Sequence, residues 1–148
     1  MNPSTHQLAQ LNIAELKYDI EGPEMADFVA RIDEINQLGA EQPGFIWRMT
    51  EDVEGIFDPE KFIFNMTVWE DVASLMKFTF ETAHVEVMRQ RKKWFDKMKS
   101  SHFVMWWVPK GHLPSLKEGK EMLDKLEREG PSEEVFTFSS LKKMQKQE

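Results

Sequence analysis

Strand residues ending in Trp69-Glu70-Asp71, followed by a short helix that runs into Ala83-His84, can aim an indole and an imidazole at one pocket. An imidazole changes charge near neutral pH, so His84 is the residue best suited to take or give a proton. The alternative role for His84 is a helix-start histidine bonded to a neighbour. Arg48 and Asn65 fall on adjoining strands and, by alternation, on the same face. Together they offer a guanidinium and an amide to a carboxylate, phenolate or carbonyl oxygen. Arg48 could equally pair with an acid at a subunit interface. Trp47, Trp94, Trp106 and Trp107 are the indoles available to wall a pocket for a flat ligand, or to fill a core or an interface. The basic stretch Arg89–Lys99 is either an anion-attracting patch or a solvated helix face.

Other chemistries lack their residues. The sequence has no cysteine, which removes disulfides, thiol catalysis and thiolate metal sites. His102 and His112 have no ligand spacing, no H-x-x-x-H occurs, and no metal site is expected. A glycine-rich phosphate loop is absent, so neither a flavin nor a nicotinamide domain is supported. The net charge of −7 argues against a nucleic-acid partner. No apolar run is long enough to span a membrane, and MNPSTHQLAQ lacks the basic and apolar regions of a signal peptide, so a cytoplasmic protein is expected.

The elements that must position these residues follow in order. The 148 residues, 41% hydrophobic and 30% charged, suit one globular domain, placed at residues 1–138, with a frayed polar tail over 139–148. HQLAQLNIA (6–14) alternates, with Ala9, Leu11 and Ile13 on an apolar face and Gln10 and Asn12 on the other. Pro23 opens an amphipathic helix that stops near Gly39, and Pro43-Gly44 forms a turn. FIWRMT (45–50) and KFIFNMTVW (61–69) are strands, the first with Phe45, Trp47 and Met49 on one face. Asp71 caps a short helix, and a second helix runs from about 83 to 99. HFVMWWV (102–108) is the last main strand. Ser115 and Glu118 form a capping box for a helix that ends at Gly130-Pro131, read as a surface helix because its charges alternate. Val135, Phe136 and Phe138 can dock as a terminal strand or arm.

The order β-α-β-β-α-β plus a C-terminal helix predicts an α+β, ferredoxin-like split βαβ fold with a four-stranded antiparallel sheet. Helices are expected on the greasy sheet face. The other face, with Gln10, Asn12, Arg48, Asn65, Thr67 and Trp69, is expected to be uncovered. Five Trp and eleven Phe, each able to bury roughly 150–250 Å², make an exposed face of this kind a hazard. A homodimer with facing sheets is the natural remedy.

The pattern Trp69-Glu70-Asp71…Ala83-His84 after the third strand is similar to that of the dimeric α+β barrel superfamily, which includes the antibiotic-biosynthesis monooxygenases and the IsdG-type haem-degrading enzymes. A closer resemblance, from His6 to Phe138, is to the bacterial family called domain of unknown function 3291. It is carried by HQLAQLNIA, PGFIWRM, NMTVWEDVASLMKF, AHVEVMRQRKKWF, WWVPKGHLPSL and EGPSEEVFTF. The superfamily resemblance implies a homodimer with a small-molecule cavity beneath His84. It also implies cofactor-independent monooxygenase, isomerase or cyclase chemistry on a small aromatic or polyketide-like substrate. His84 would then move the proton, while Arg48 and Asn65 would hold an oxyanion. The IsdG resemblance puts Asn12, Trp69 and His84 in catalytic positions and implies haem, with His84 as axial ligand. Fourteen residues separate Trp69 from His84, more than in the haem degraders. A non-catalytic ligand-binding or structural dimer is the third reading.

Overall fold

The structure is a computed structural model that describes residues 4–146, with side chains through Lys143. Strand β1 (His6–Leu16) is the centre of an antiparallel sheet. On one side it pairs with β3 (Phe62–Trp69), which in turn pairs with the edge strand β2 (Phe45–Arg48). On the other side it pairs with β5 (Phe103–Pro109) along residues 6–12 and with the two-residue β4 (Phe95–Asp96) at Glu15 and Leu16. Strands β4 and β5 thus share the fourth position of the ferredoxin-like order.

Local chemistry places the helices between these strands. Pro23 starts a single 3-10 turn that leads into α1 (Ala26–Ala40). Gly44 has φ 88°, and a Cβ there would run into Ser74, so only glycine permits this approach of the turn to the next helix. That helix, α2 (Val72–Glu81), is capped by Asp71, whose Oδ1 accepts the Ser74 N–H at 2.8 Å.

Both faces of the sheet are covered from within the chain. Ala9, Leu11, Ile13, Met66, Val68, Val104, Trp106 and Val108 form the greasy face, and they pack under Leu116, Leu123 and Leu126 of α5 (Leu116–Glu129). The other face carries Leu8, Trp69 and Met105 against Leu75 of α2, and Leu16 against Met25, Phe28 and Trp94. The expected assignment of faces is therefore reversed: α1 and α2 cover the polar and aromatic face, and α5 covers the greasy one. Alternation separates two faces but does not say which helix crosses to which. The open face that argued for a partner subunit is not open.

Helix α5 lies at the surface, as its alternating charges predict, but one side of it is packed on the sheet. Leu116, Gly119, Leu123 and Leu126 recur every three or four residues and are all buried, while the alternating charges occupy the remaining positions. The helix expected over residues 83–99 also breaks up, into α3 (His84–Arg89), α4 (Arg91–Trp94) and then β4. Arg89, Lys92 and Lys93 would repel one another on a continuous helix. Pairing with β1 takes the chain over where Lys17 N–H donates to the Trp94 carbonyl at 2.9 Å. Of the expected tail, the described residues form a helix, α6 (Phe138–Lys146), which docks through Phe138 and Leu141; residues 147–148 lie outside the described residues. Phe136 exchanges both backbone hydrogen bonds with Met105, as expected of a terminal arm. No helix among the described residues is long and apolar enough to cross a membrane.

Candidate functional site

On the helix-covered face, a polar seam lies between the apolar cluster around Trp69 and the one around Trp94. Gln10 is buried there, and its Nε2 donates to Asn65 Oδ1 and to Thr67 Oγ1, both at 2.8 Å. Trp69 Nε1 donates to the same Thr67 oxygen at 2.8 Å. The Thr67 hydroxyl is the shared acceptor for two buried donors. Asn12 is the next residue of β1 on this face, opposite Asn65 on one side and Phe103 on the other. It is exposed although it sits on the central strand. The fourth sheet position changes from β5 to β4 just beyond it, which leaves the floor of the seam open to solvent at that point. Arg48 stands opposite Thr67 and so shares this face with Asn65, as alternation predicts. Its guanidinium takes no hydrogen bond or ion pair among the described residues.

A row of rings connects the seam to His84. Phe45 meets the Trp69 indole edge-on at 5.4 Å, Phe78 stacks on the same indole at 5.5 Å, and the His84 ring lies 5.0 Å from Phe78. His84 begins α3 with its backbone N–H on Thr82 Oγ1, and its Nδ1 is 3.3 Å from the Thr79 carbonyl. A carbonyl only accepts, so this contact requires a proton on Nδ1. In the neutral ring it leaves Nε2 bare, with a lone pair. Burial pushes the His84 pKa below the ordinary histidine value, and the Thr79 bond only partly offsets this. His84 is therefore neutral at physiological pH.

The other expected residues divide by face. A bulge between Phe45 and Trp47 resets the alternation in β2, so Phe45 joins Trp69 while Trp47 packs in the cluster beneath α5. Trp106 is on that side too, with its Nε1 bound to Glu118 Oε2 at 2.9 Å. Trp47 and Trp106 therefore cannot line a pocket with His84. Trp94 is fully buried against Phe28, at 5.3 Å, and belongs to the core. Trp107 is on the His84 side but half-buried against Phe136. Gln10 and Thr67, which organise the seam, were placed on this face from the sequence but given no functional role. That they stand opposite each other is legible only once the β1–β3 register is known.

Haem does not fit the set Asn12, Trp69 and His84. Trp69 is buried with its indole N–H bonded internally, and the Phe78 ring occupies the space between it and His84. Among the described residues no group of three or more His, Asp or Glu could hold a metal ion. Two surface concavities lie away from His84 and the seam. One of about 150 Å³ is lined by Gln7, Glu70, Asp71 and Lys110. The other, of about 280 Å³, lies on the α5 side.

Strand order, register and helix placement define this molecule as an α+β protein of ferredoxin-like fold with a histidine-flanked polar seam. Residues 7–148 match the family described as Domain of unknown function (DUF3291), and the chain belongs to that family. No functionally curated protein matches it in sequence. Among solved structures it is similar to a conserved protein from Methanosarcina mazei Go1, at 15% identity and a TM-score of 0.51, over 72% of this chain and 94% of that one. That likeness bears on the fold alone. A more remote likeness is to SnoaB, a cofactor-independent oxygenase from Streptomyces nogalater, at 14% identity and a TM-score of 0.43, over 76% of this chain and 98% of that one. It is too distant to bear on chemistry here.

Proposed function

We propose that this protein binds a small, largely apolar and planar molecule at the polar seam, and that His84 takes a proton from it. The observation that carries this reading is the state of His84, neutral through burial with Nδ1–H on the Thr79 carbonyl and Nε2 bare, taken together with a polar row on the helix-covered sheet face that is exposed at Asn12. A base of this kind removes a proton from an acidic C–H or phenol. The Asn12 and Asn65 amides and the unpaired Arg48 guanidinium are the groups on this face able to hold the resulting oxyanion. A cofactor-independent oxygenase, or a related isomerase or cyclase, uses such a set. For an oxygenase, dioxygen accepts the electrons of the carbanion, so that an acidic methylene plus dioxygen becomes a carbonyl plus water. A homodimer is compatible with this site but would have to use surfaces other than a bare sheet face.

Oxygen uptake with anthrone, a tricyclic ketone with an acidic methylene, tests the reading without added cofactor. Uptake that falls at least tenfold in His84→Ala supports it. Equal uptake by the variant and the parent overturns His84 as the base. A second reading, a non-catalytic binding protein, is favoured by the packing of the His84 ring on Phe78. It predicts ligand-induced shifts of the Asn12 and Asn65 side-chain amide resonances with no turnover.

A further inference from the structure

The second concavity is on the opposite side of the sheet from His84 and plays no part in the function proposed above. Its volume is about 280 Å³, and Ile13, Ile56, Phe57, Phe62, Met98 and Leu123 supply its apolar lining. It lies between Ile13 and Phe62 of the greasy sheet face, α5, and the segment around Met98. Its outer wall is the loop between β2 and β3, and that loop is built rather than loose. Asp52 accepts the backbone N–H groups of Ile56 and Phe57 at 3.0 and 2.8 Å, and Phe57 stacks on Phe64. Asp58 turns the chain back by accepting the Glu60 N–H at 2.9 Å.

The polar rim has one dominant sign. Asp58, Asp124 and Glu127 line it, against a single ammonium, Lys120, which is already bound to Asp124 at 2.9 Å. Hydrogen bonding by the Ser101 side chain, and by its N–H at 2.7 Å, holds the Glu127 carboxyl below the usual range, so it is ionised at neutral pH. Lys97 and Lys99 flank Met98 in the chain but do not line the groove.

We propose that this groove is a binding site for a small amphipathic amine, an alkyl chain or single ring that carries a protonated amino group. The apolar part would enter between Phe57, Phe62, Met98 and Leu123, and the ammonium would lie between Asp58 and Glu127. Ligand pockets typically run from roughly 300 to 1,000 Å³, so a groove at the low end suits a ligand of few carbons.

Titration of ¹⁵N-labelled protein with n-hexylammonium, n-hexanol and hexanoate tests this, with backbone amide shifts as the readout. The expected result is saturable shifts at Ile56, Phe57, Met98 and Leu123. Hexylammonium should bind about fivefold more tightly than hexanol, the size of one partly exposed ion pair, and hexanoate more weakly than either. Asp58→Asn with Glu127→Gln keeps the loop and Ser101 hydrogen bonds, and it should abolish the preference while hexanol binding persists. Hexanoate binding as tightly as hexylammonium, shifts confined to other residues, or no saturation by any probe would overturn the proposal.

Discussion

Gly119 offers a sharp test of how the two layers meet, because the sign of its substitution depends on whether α5 lies on the sheet. Glycine inside a helix costs about 1 kcal/mol relative to alanine. If α5 were a solvated surface helix, Gly119→Ala would stabilise the protein by about that amount. In the structure a Cβ at Gly119 would meet Met66 Sδ at 3.0 Å, Leu11 Cδ2 at 3.3 Å and Trp106 Cη2 at 3.4 Å. All three neighbours are buried, so none can swing into solvent. Inserting a methyl into such a contact costs about 1–3 kcal/mol. After the helix-propensity gain the net loss is about 1 kcal/mol for alanine, and larger for Gly119→Val, which adds two more methyl groups. With a urea m-value of about 2 kcal/mol/M, alanine should lower the unfolding midpoint by about 0.5 M. Tryptophan fluorescence follows the transition. A midpoint raised by Gly119→Ala would refute the packing of α5 against the sheet and, with it, the assignment of the two faces.

Three further outcomes follow from the same contacts. Thr67→Val leaves Gln10 Nε2 short of one acceptor and Trp69 Nε1 without its own, and should cost about 2–4 kcal/mol in urea unfolding; a loss below about 0.5 kcal/mol would contradict the shared-acceptor role. Ser115→Ala removes the acceptor of the Glu118 N–H at 3.1 Å and should cost about 1 kcal/mol, with Ser115→Asp retaining most of the stability. His84 and His102 both have folded pKa values below the ordinary histidine value, mainly through burial. The unfolded chain therefore binds more protons as pH falls below about 6.5, so their contribution is present above that pH and is lost below it. Urea midpoints between pH 7.5 and 5 should fall, and His84→Gln should make the decline shallower; an unchanged slope would remove His84 from this account.

Much of the fold was legible because period-two alternation and caps are local. Strands β1, β3 and β5, the Asp71 and Ser115 caps and the Pro43-Gly44 turn all stand where their residue types put them. The face assignment was not legible, since it depends on which helix crosses which side. Charges on α5 masked the stripe of Leu116, Gly119, Leu123 and Leu126 that answers the question. A single bulged residue at Ile46 was enough to move Phe45 off the face it would share with Trp47 and Met49 and onto that of Trp69, whereas Trp47 still alternates with Arg48 and so lies away from the site. Asn65 and Arg48 were placed on one face correctly, because no such irregularity intervenes between Arg48 and its partner Thr67. Of the two roles open to Trp94, pocket wall or core, the structure shows the core, against Met25 and Phe28.

The state of the His84 ring is the most direct test of the proposed site. Long-range ¹H–¹⁵N correlation spectra of histidine-labelled protein, recorded across pH 5–8, report both its tautomer and its titration. The account predicts Nδ1 protonated, Nε2 bare at neutral pH, and a pKa below the ordinary histidine value. A proton on Nε2 in the neutral ring, or a pKa at or above about 6.5, would contradict it.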